Sequence, residues 1–80
     1  MNTYFIAIFS HYDAVNKLHV IIAKNHVDAA KQAILLNTAE QHRTDTYKEW
    51  IDKLGDSVGD ITKNAALSGL VISEALVIEP

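Results

Sequence analysis

Cysteine is absent from these 80 residues, and proline occurs once. The first absence excludes a disulfide framework, a thiolate zinc site and a thiol nucleophile. No apolar run approaches the roughly 20 residues that a membrane-spanning helix needs. Residues 1–10 carry no basic segment and lead into Tyr12 and Asp13 without a small-x-small cleavage site, so no secretory signal is expected. Charge is also sparse. The 7 Lys and Arg stand against 10 Asp and Glu, a formal net charge of −3. The basic residues are dispersed, and Arg43 is the one arginine, so no stripe that would neutralise phosphates is present.

What the chain does have is apolar content. Hydrophobic residues make up 49% of it and charged residues 21%, enough to collapse around a core and too apolar for a disordered or linker-like segment. The length predicts a single domain over residues 1–80, and the lack of cysteine, of a membrane span and of a secretory signal predicts the cytoplasm. A domain this small buries only about 60 to 65% of its unfolded surface, and without disulfides or metals such domains often gain stability by oligomerising. Any apolar face left uncovered is therefore informative.

The local pattern predicts an α+β fold, with a small antiparallel sheet and two helices packed on one of its faces, in the order β-β-α-α-β. Thr3 to Ser10 is rich in aromatic and β-branched residues and reads as the first strand. Tyr4, Ile6 and Ile8 lie on one side of it and Phe5, Ala7 and Phe9 on the other, the mark of a central strand covered on both faces. After turn formers at Asp13 and Asn16, Lys17 to Ala23 reads as its hairpin partner. Asn25 is placed to cap a helix whose apolar stripe is Val27, Ala30 and Ile34, ending near Asn37 and Thr38. Thr46 and Glu49 match a capping box for a second helix, with Tyr47, Trp50, Ile51 and Leu54 as its core face and Gly55 as its stop. If Thr38 caps it instead, that helix runs from about residue 39 to 54. Residues 56–64 read as a loop, with a short helical turn near Asn64 to Leu67 and an alternative fourth strand around Val58 to Thr62. Leu70 to Ile78 reads as the third strand.

Four histidines, His11, His19, His26 and His42, are the first candidates for metal binding or acid–base chemistry. No two are spaced i, i+3 or i, i+4, the spacing that converges two ligands on one helix face. Of the other pairs, only His42 and Asp45 are three apart with one member a histidine near a helix, and two ligands do not make a site. No Gly-x-Ser-x-Gly elbow and no phosphate-cradling glycine loop occur. The sequence thus predicts no catalysis, no metal and no cofactor.

Two features point to protein partners. Asp45, Glu49 and Asp52 recur at i, i+4 and i+7, which at about 100° per residue sets them on one helix face opposite Tyr47, Trp50 and Leu54, with Asp56 and Asp60 as an extension. Such a face is ordinarily a solvated helix back; as an anionic ridge, Asp45, Glu49, Asp52 and Asp56 would fit a groove that otherwise holds nucleic acid. The second feature is a sheet apolar on both faces, of which two short helices cover one. The other face is expected to be covered by a second copy in a homodimer, by a different protein, or by the chain's own 56–68 segment.

The opening Met1-Asn2-Thr3-Tyr4-Phe5-Ile6, a second strand ending at Ile22-Ala23 and an immediate helix with Asp28-Ala29-Ala30-Lys31 resemble small phage-encoded anti-defence proteins, including anti-CRISPR proteins. The resemblance spans residues 1–36 and implies a compact, cofactor-free β-β-α module acting on a host protein, such as a nucleic-acid-binding defence complex. Trp50 and the Leu70 to Ile78 strand lie outside the shared pattern, and no binding residue carries over. The expectation is a non-enzymatic interaction module that inhibits a host defence protein, in the cytoplasm of the host if the chain is phage-encoded. The alternative is a small homodimeric regulatory or structural protein with no inhibitory role.

Overall fold

A computed structural model describes residues 1–73 in full and the backbone of residues 76–78. Two long strands, β1 (Asn2–Ser10) and β2 (Val15–Ala23), form an antiparallel hairpin in unbroken register from Asn2 opposite Ala23 to Ser10 opposite Val15. The turn between them occupies residues 11–14 and places Ala14 at a φ of 55°, the left-handed region. The expected Lys17 start of the second strand is thus two residues late, because the turn is tighter than the Asp13 and Asn16 signals suggested.

Three helices follow: α1 (His26–Asn37), α2 (Asp45–Asp52) and α3 (Val58–Leu67). Each begins on a side-chain cap. Asn25 Oδ1 accepts from Asp28 N at 2.9 Å, as the sequence predicts. For α2 the cap is Thr44, whose Oγ1 accepts from Tyr47 N at 3.2 Å, rather than Thr46. Thr46 lies inside the first turn instead, and starting at Asp45 still brings Ile51 into the core. The longer 39–54 helix does not form. Glu40–His42 is a single 3-10 turn, and the chain stays non-helical at Arg43 and Thr44.

The 56–64 loop and the alternative strand at 58–62 are corrected by α3. Gly59 and Asp60 read as turn formers, yet Ser57 Oγ accepts from Asp60 N at 3.2 Å and caps a helix there. Ile61 and Ala65, four apart, then bury completely.

The third strand is two short pieces, β3 (Leu70–Ile72) and β4 (Leu76–Ile78), both antiparallel to β1 on the side away from β2. Ile72 stands opposite Ile8, and Leu76 stands opposite Phe5. Ile8 and Phe5 are three apart and Ile72 and Leu76 four apart, so the pairing of β4 is offset by one residue from that of β3. A continuous third strand from Leu70 to Ile78 would keep Leu70, Ile72, Leu76 and Ile78 in one row; the offset breaks it, since Leu70 and Ile72 pair with Ser10 and Ile8, whereas position 77 pairs with Tyr4.

The helices lie on one side of the sheet, α1 and α3 against the strands and α2 against α1. The sheet's row of Tyr4, Ile6 and Ile8, with Ile21 and Ala23 from β2 and Leu70 and Ile72 from β3, meets Ala29, Ala30, Ala33 and Ile34 of α1, Ile51 and Leu54 from α2 and its end, and Ile61 and Ala65 of α3. Small residues on α1 let it lie close to the strands, while isoleucines fill the space above. Trp50, expected as a core residue, is only half-buried and packs with Tyr47 at the edge of this core. Because α3 joins the same layer, the 56–68 segment does not cover the second face of the sheet.

The connection from α1 to α2 is tied down from a distance. Arg43 Nε donates to the carbonyls of Leu35 and Thr38, both at 3.0 Å, and Nη2 donates to Leu36 O at 3.3 Å. The Thr38 hydroxyl donates to Ile34 O at 3.2 Å and meets the Tyr47 hydroxyl at 2.6 Å. Carbonyls that a helix end leaves without a partner are satisfied in this way.

Candidate interaction surface

Alternation along a strand sends neighbouring side chains to opposite faces, so burying Tyr4, Ile6 and Ile8 turns Phe5, Ala7 and Phe9 outward. The hairpin register extends that outer face. Leu18, Val20 and Ile22 stand opposite Ala7, Phe5 and Thr3, and Val71 stands opposite Phe9. Their exposure separates the two faces sharply: Leu18 and Ile22 are 65% exposed, Val20 58% and Val71 46%, whereas Ile21 beside them is 2% exposed. Phe5, Ala7 and Phe9, flanked on both sides in the central strand, are half-buried. Thr3 and Asn16 are the polar members of this surface, and none of these nine residues is charged.

The size of the patch follows from strand geometry. Nine residues at about 3.4 Å and three strand rows at about 4.8 Å give a footprint of roughly 400 Å2, the range in which an apolar patch on a small protein is commonly functional. Nothing among the described residues lies over it.

The acidic residues divide. Asp45, Glu49 and Asp52 are exposed on the back of α2, opposite buried Ile51, as their spacing predicts. Asp56 is exposed too, but it lies beyond the end of α2, in the connection to α3, so the helical series stops at Asp52. Asp60 sits in the first turn of α3. The one ion pair among the described residues is elsewhere, between Lys24 and Asp28 at 3.6 Å.

The histidines have separate surroundings. His11 lies edge-on to Phe9 with ring centroids 5.1 Å apart, and His26 packs against Tyr4 at 4.9 Å. His19, inward-facing and half-buried, has Nε2 hydrogen-bonded to Asn37 Oδ1 at 2.8 Å. His42 is exposed in the 3-10 turn. Among the described residues, no three His, Asp or Glu side chains converge as a metal site would require.

One groove is large enough to hold a small molecule. It is an open cleft of about 510 Å3 at one end of the helical layer, lined by residues including Ser10, Tyr12, Asn37, Thr38, Tyr47 and Trp50. Three of its polar groups are already committed, Thr38 to Tyr47 and Asn37 to His19. The cleft holds no nucleophile hydrogen-bonded to a base, the pairing that covalent catalysis requires.

Sequence reasoning set Asp45, Glu49 and Asp52 on one face of α2 and found the two apolar rows of β1, but its extension of the acidic series to Asp56 and Asp60 does not hold, since α2 ends at Asp52 and Asp60 belongs to α3. It could not say which row was outward. Burial in the first strand is decided by the helices, whose stripes fit either row, and only the tertiary arrangement selects Tyr4, Ile6 and Ile8. No family model, curated protein or solved structure matches this chain.

Proposed function

We propose that the protein is a non-catalytic protein-interaction module whose working surface is the outer face of its sheet. The observation that carries this reading is the exposure of Leu18, Val20 and Ile22 beside half-buried Phe5 and Phe9, a charge-free surface on a chain too small to spend apolar area without return. Burying each such side chain against a partner is worth about 1.5 to 3 kcal/mol.

A second, narrower reading is that of an inhibitor occupying the basic groove of a host defence protein. The exposed carboxylates of Asp45, Glu49 and Asp52 favour it, since on one helix they would meet lysines and arginines that otherwise hold phosphates. In this reading the outer sheet face builds the assembly and the back of α2 addresses the target.

Site-specific photocrosslinking in the producing cell tests both. A crosslinker replacing Phe5 should yield a discrete protein adduct, and one replacing exposed Lys63 on α3 should yield none. An adduct at position 49 to a basic protein would support the narrower reading. Absence of any adduct at position 5 would sink the interaction module itself.

A further inference from the structure

The outer face and the free edge of the sheet are made by the same residues. Ala7 turns both of its backbone groups toward β3: its N–H donates to Ser73 Oγ and its carbonyl accepts from Ser73 N, each at 2.9 Å. In an antiparallel ladder the N–H and C=O of one residue point the same way, so Ala7 makes no ladder bond with Leu18 opposite it. Leu18 therefore points its own N–H and C=O away from β1. The alternation extends this to Asn16, Val20 and Ile22.

β2 is an edge strand, and no hydrogen bond among the described residues reaches those outward groups. Proteins commonly blunt such an edge with proline, a bulge or inward charge. Here β2 has no proline and its nine register pairs are uninterrupted; Lys17, on the inner row opposite Ile8, is its one charged residue and the one such device on it.

We propose that β2 pairs antiparallel with β2 of a second copy, about a two-fold axis at His19, joining two sheets into one. This rests on the interaction reading above and adds to it a second copy, met at the edge of the sheet rather than over its outer face. The occupant follows from the strand itself. With the axis at His19, every residue from Val15 to Ala23 finds an opposite number, the greatest overlap a symmetric pairing allows. Asn16 stands opposite Ile22 of the second copy and Leu18 opposite its Val20, so all the outward N–H and C=O groups are satisfied together. Lys17 meets Ile21 of the second copy and His19 meets His19 on the inner face, so no lysine or carboxylate stands opposite its like. On the outer face, Leu18, Val20 and Ile22 of both copies become one apolar stripe of cross-strand neighbours. A strand from an unrelated protein would need to match this alternation; a second β2 does so by construction.

Amide hydrogen exchange on the full chain tests the pairing, alongside sedimentation. At ~100 μM the protein should sediment as a dimer, and dilution to monomer should speed exchange of the Leu18, Val20 and Ile22 amides at least tenfold. The Ile21 amide, bonded within the hairpin, should change far less. Val20→Pro removes an outward N–H and costs the monomer no ladder bond, so it should give a folded monomer. Should that variant not fold, Val20 N-methylated in a synthetic chain serves the same purpose. A dimer whose outward amides exchange as fast as in the monomer, or one that survives Val20→Pro, would overturn edge pairing and leave stacking of outer faces as the mode of association. A wild-type monomer at ~100 μM would overturn the second copy as partner, while the crosslink at position 5 would still decide the interaction reading separately.

Discussion

Ser73 serves Ala7 twice, accepting its N–H through a side-chain oxygen and donating back through its own backbone N–H, both at 2.9 Å. A hydroxyl thus stands where a strand carbonyl would normally be. It does so at the point where the pairing of β1 shifts by one residue between β3 and β4. Ser73→Ala should remove one acceptor and cost about 1 kcal/mol. In a domain this small that corresponds to a fall in Tm of about 4 to 8 °C. Ser73→Thr should retain most of the stability, and faster exchange of the Ala7 amide should accompany the alanine variant alone.

The two rows of β1 give opposite expectations for one kind of substitution. Ile6→Glu places a charge among fully buried residues and should leave the chain unfolded, since an unpaired buried carboxylate costs several kcal/mol. Phe5→Glu, on the half-exposed outer face, should remain folded by circular dichroism. Finding both variants equally unfolded would contradict the assignment of faces.

The start of α2 can be checked at two neighbouring threonines. Thr44→Ala deletes the oxygen that accepts Tyr47 N–H and should cost about 1 kcal/mol. Thr46→Ala, inside the first turn and exposed, should change stability by less than about 0.5 kcal/mol. Chemical denaturation of the two variants separates these outcomes, and the reverse order would restore Thr46 as the cap.

Trp50 and Ile61 invert the usual ranking by size. Ile61 is fully buried between α3 and its neighbours, so Ile61→Ala should cost about 2 to 5 kcal/mol. Trp50 packs at the border of the core against Tyr47, with ring centroids 5.2 Å apart, and Trp50→Ala should cost less than Ile61→Ala. A larger loss at Trp50 would mean that the aromatic pair closes the core more tightly than its exposure indicates.

The hairpin turn offers a gain rather than a loss. Ala14 has a φ of 55°, where a Cβ is crowded, and Ala14→Gly should stabilise the protein by about 0.5 to 1 kcal/mol. Thermal unfolding would show this as a higher Tm. No rise would place the strain of the turn elsewhere.

Much of the fold was legible because the chain repeats its signals at the right intervals. The two apolar rows of β1, the Asn25 cap and the Tyr47, Trp50, Ile51, Leu54 face each rest on periodicity within one element, which needs no tertiary information. The failures share a different cause. Gly59 and Asp60 favour turns on their own, and only the cap from Ser57 with the burial of Ile61 and Ala65 makes that stretch a helix. The offset within residues 70–78 is set by pairing with β1, which β-branched composition cannot reveal. The same holds for the surface. Apolar residues on both rows announced a face in need of cover, but the coincidence of exposed side chains and outward backbone groups at Leu18, Val20 and Ile22 is a property of register.

Arg43 bears on whether the first half of the chain is a unit that evolution could move. The last turn of α1 contains no basic residue of its own, and its closing carbonyls at Leu35 and Leu36 are bonded by a guanidinium that arrives seven to eight residues later. A β-β-α fragment cut after residue 36 would lose that clamp along with the Tyr47 hydroxyl beside Thr38. The opening hairpin and helix are therefore not an independent cassette. A recombination boundary placed after α1 would transmit an incomplete part, and only a crossover beyond Tyr47 would carry the whole clamp with it.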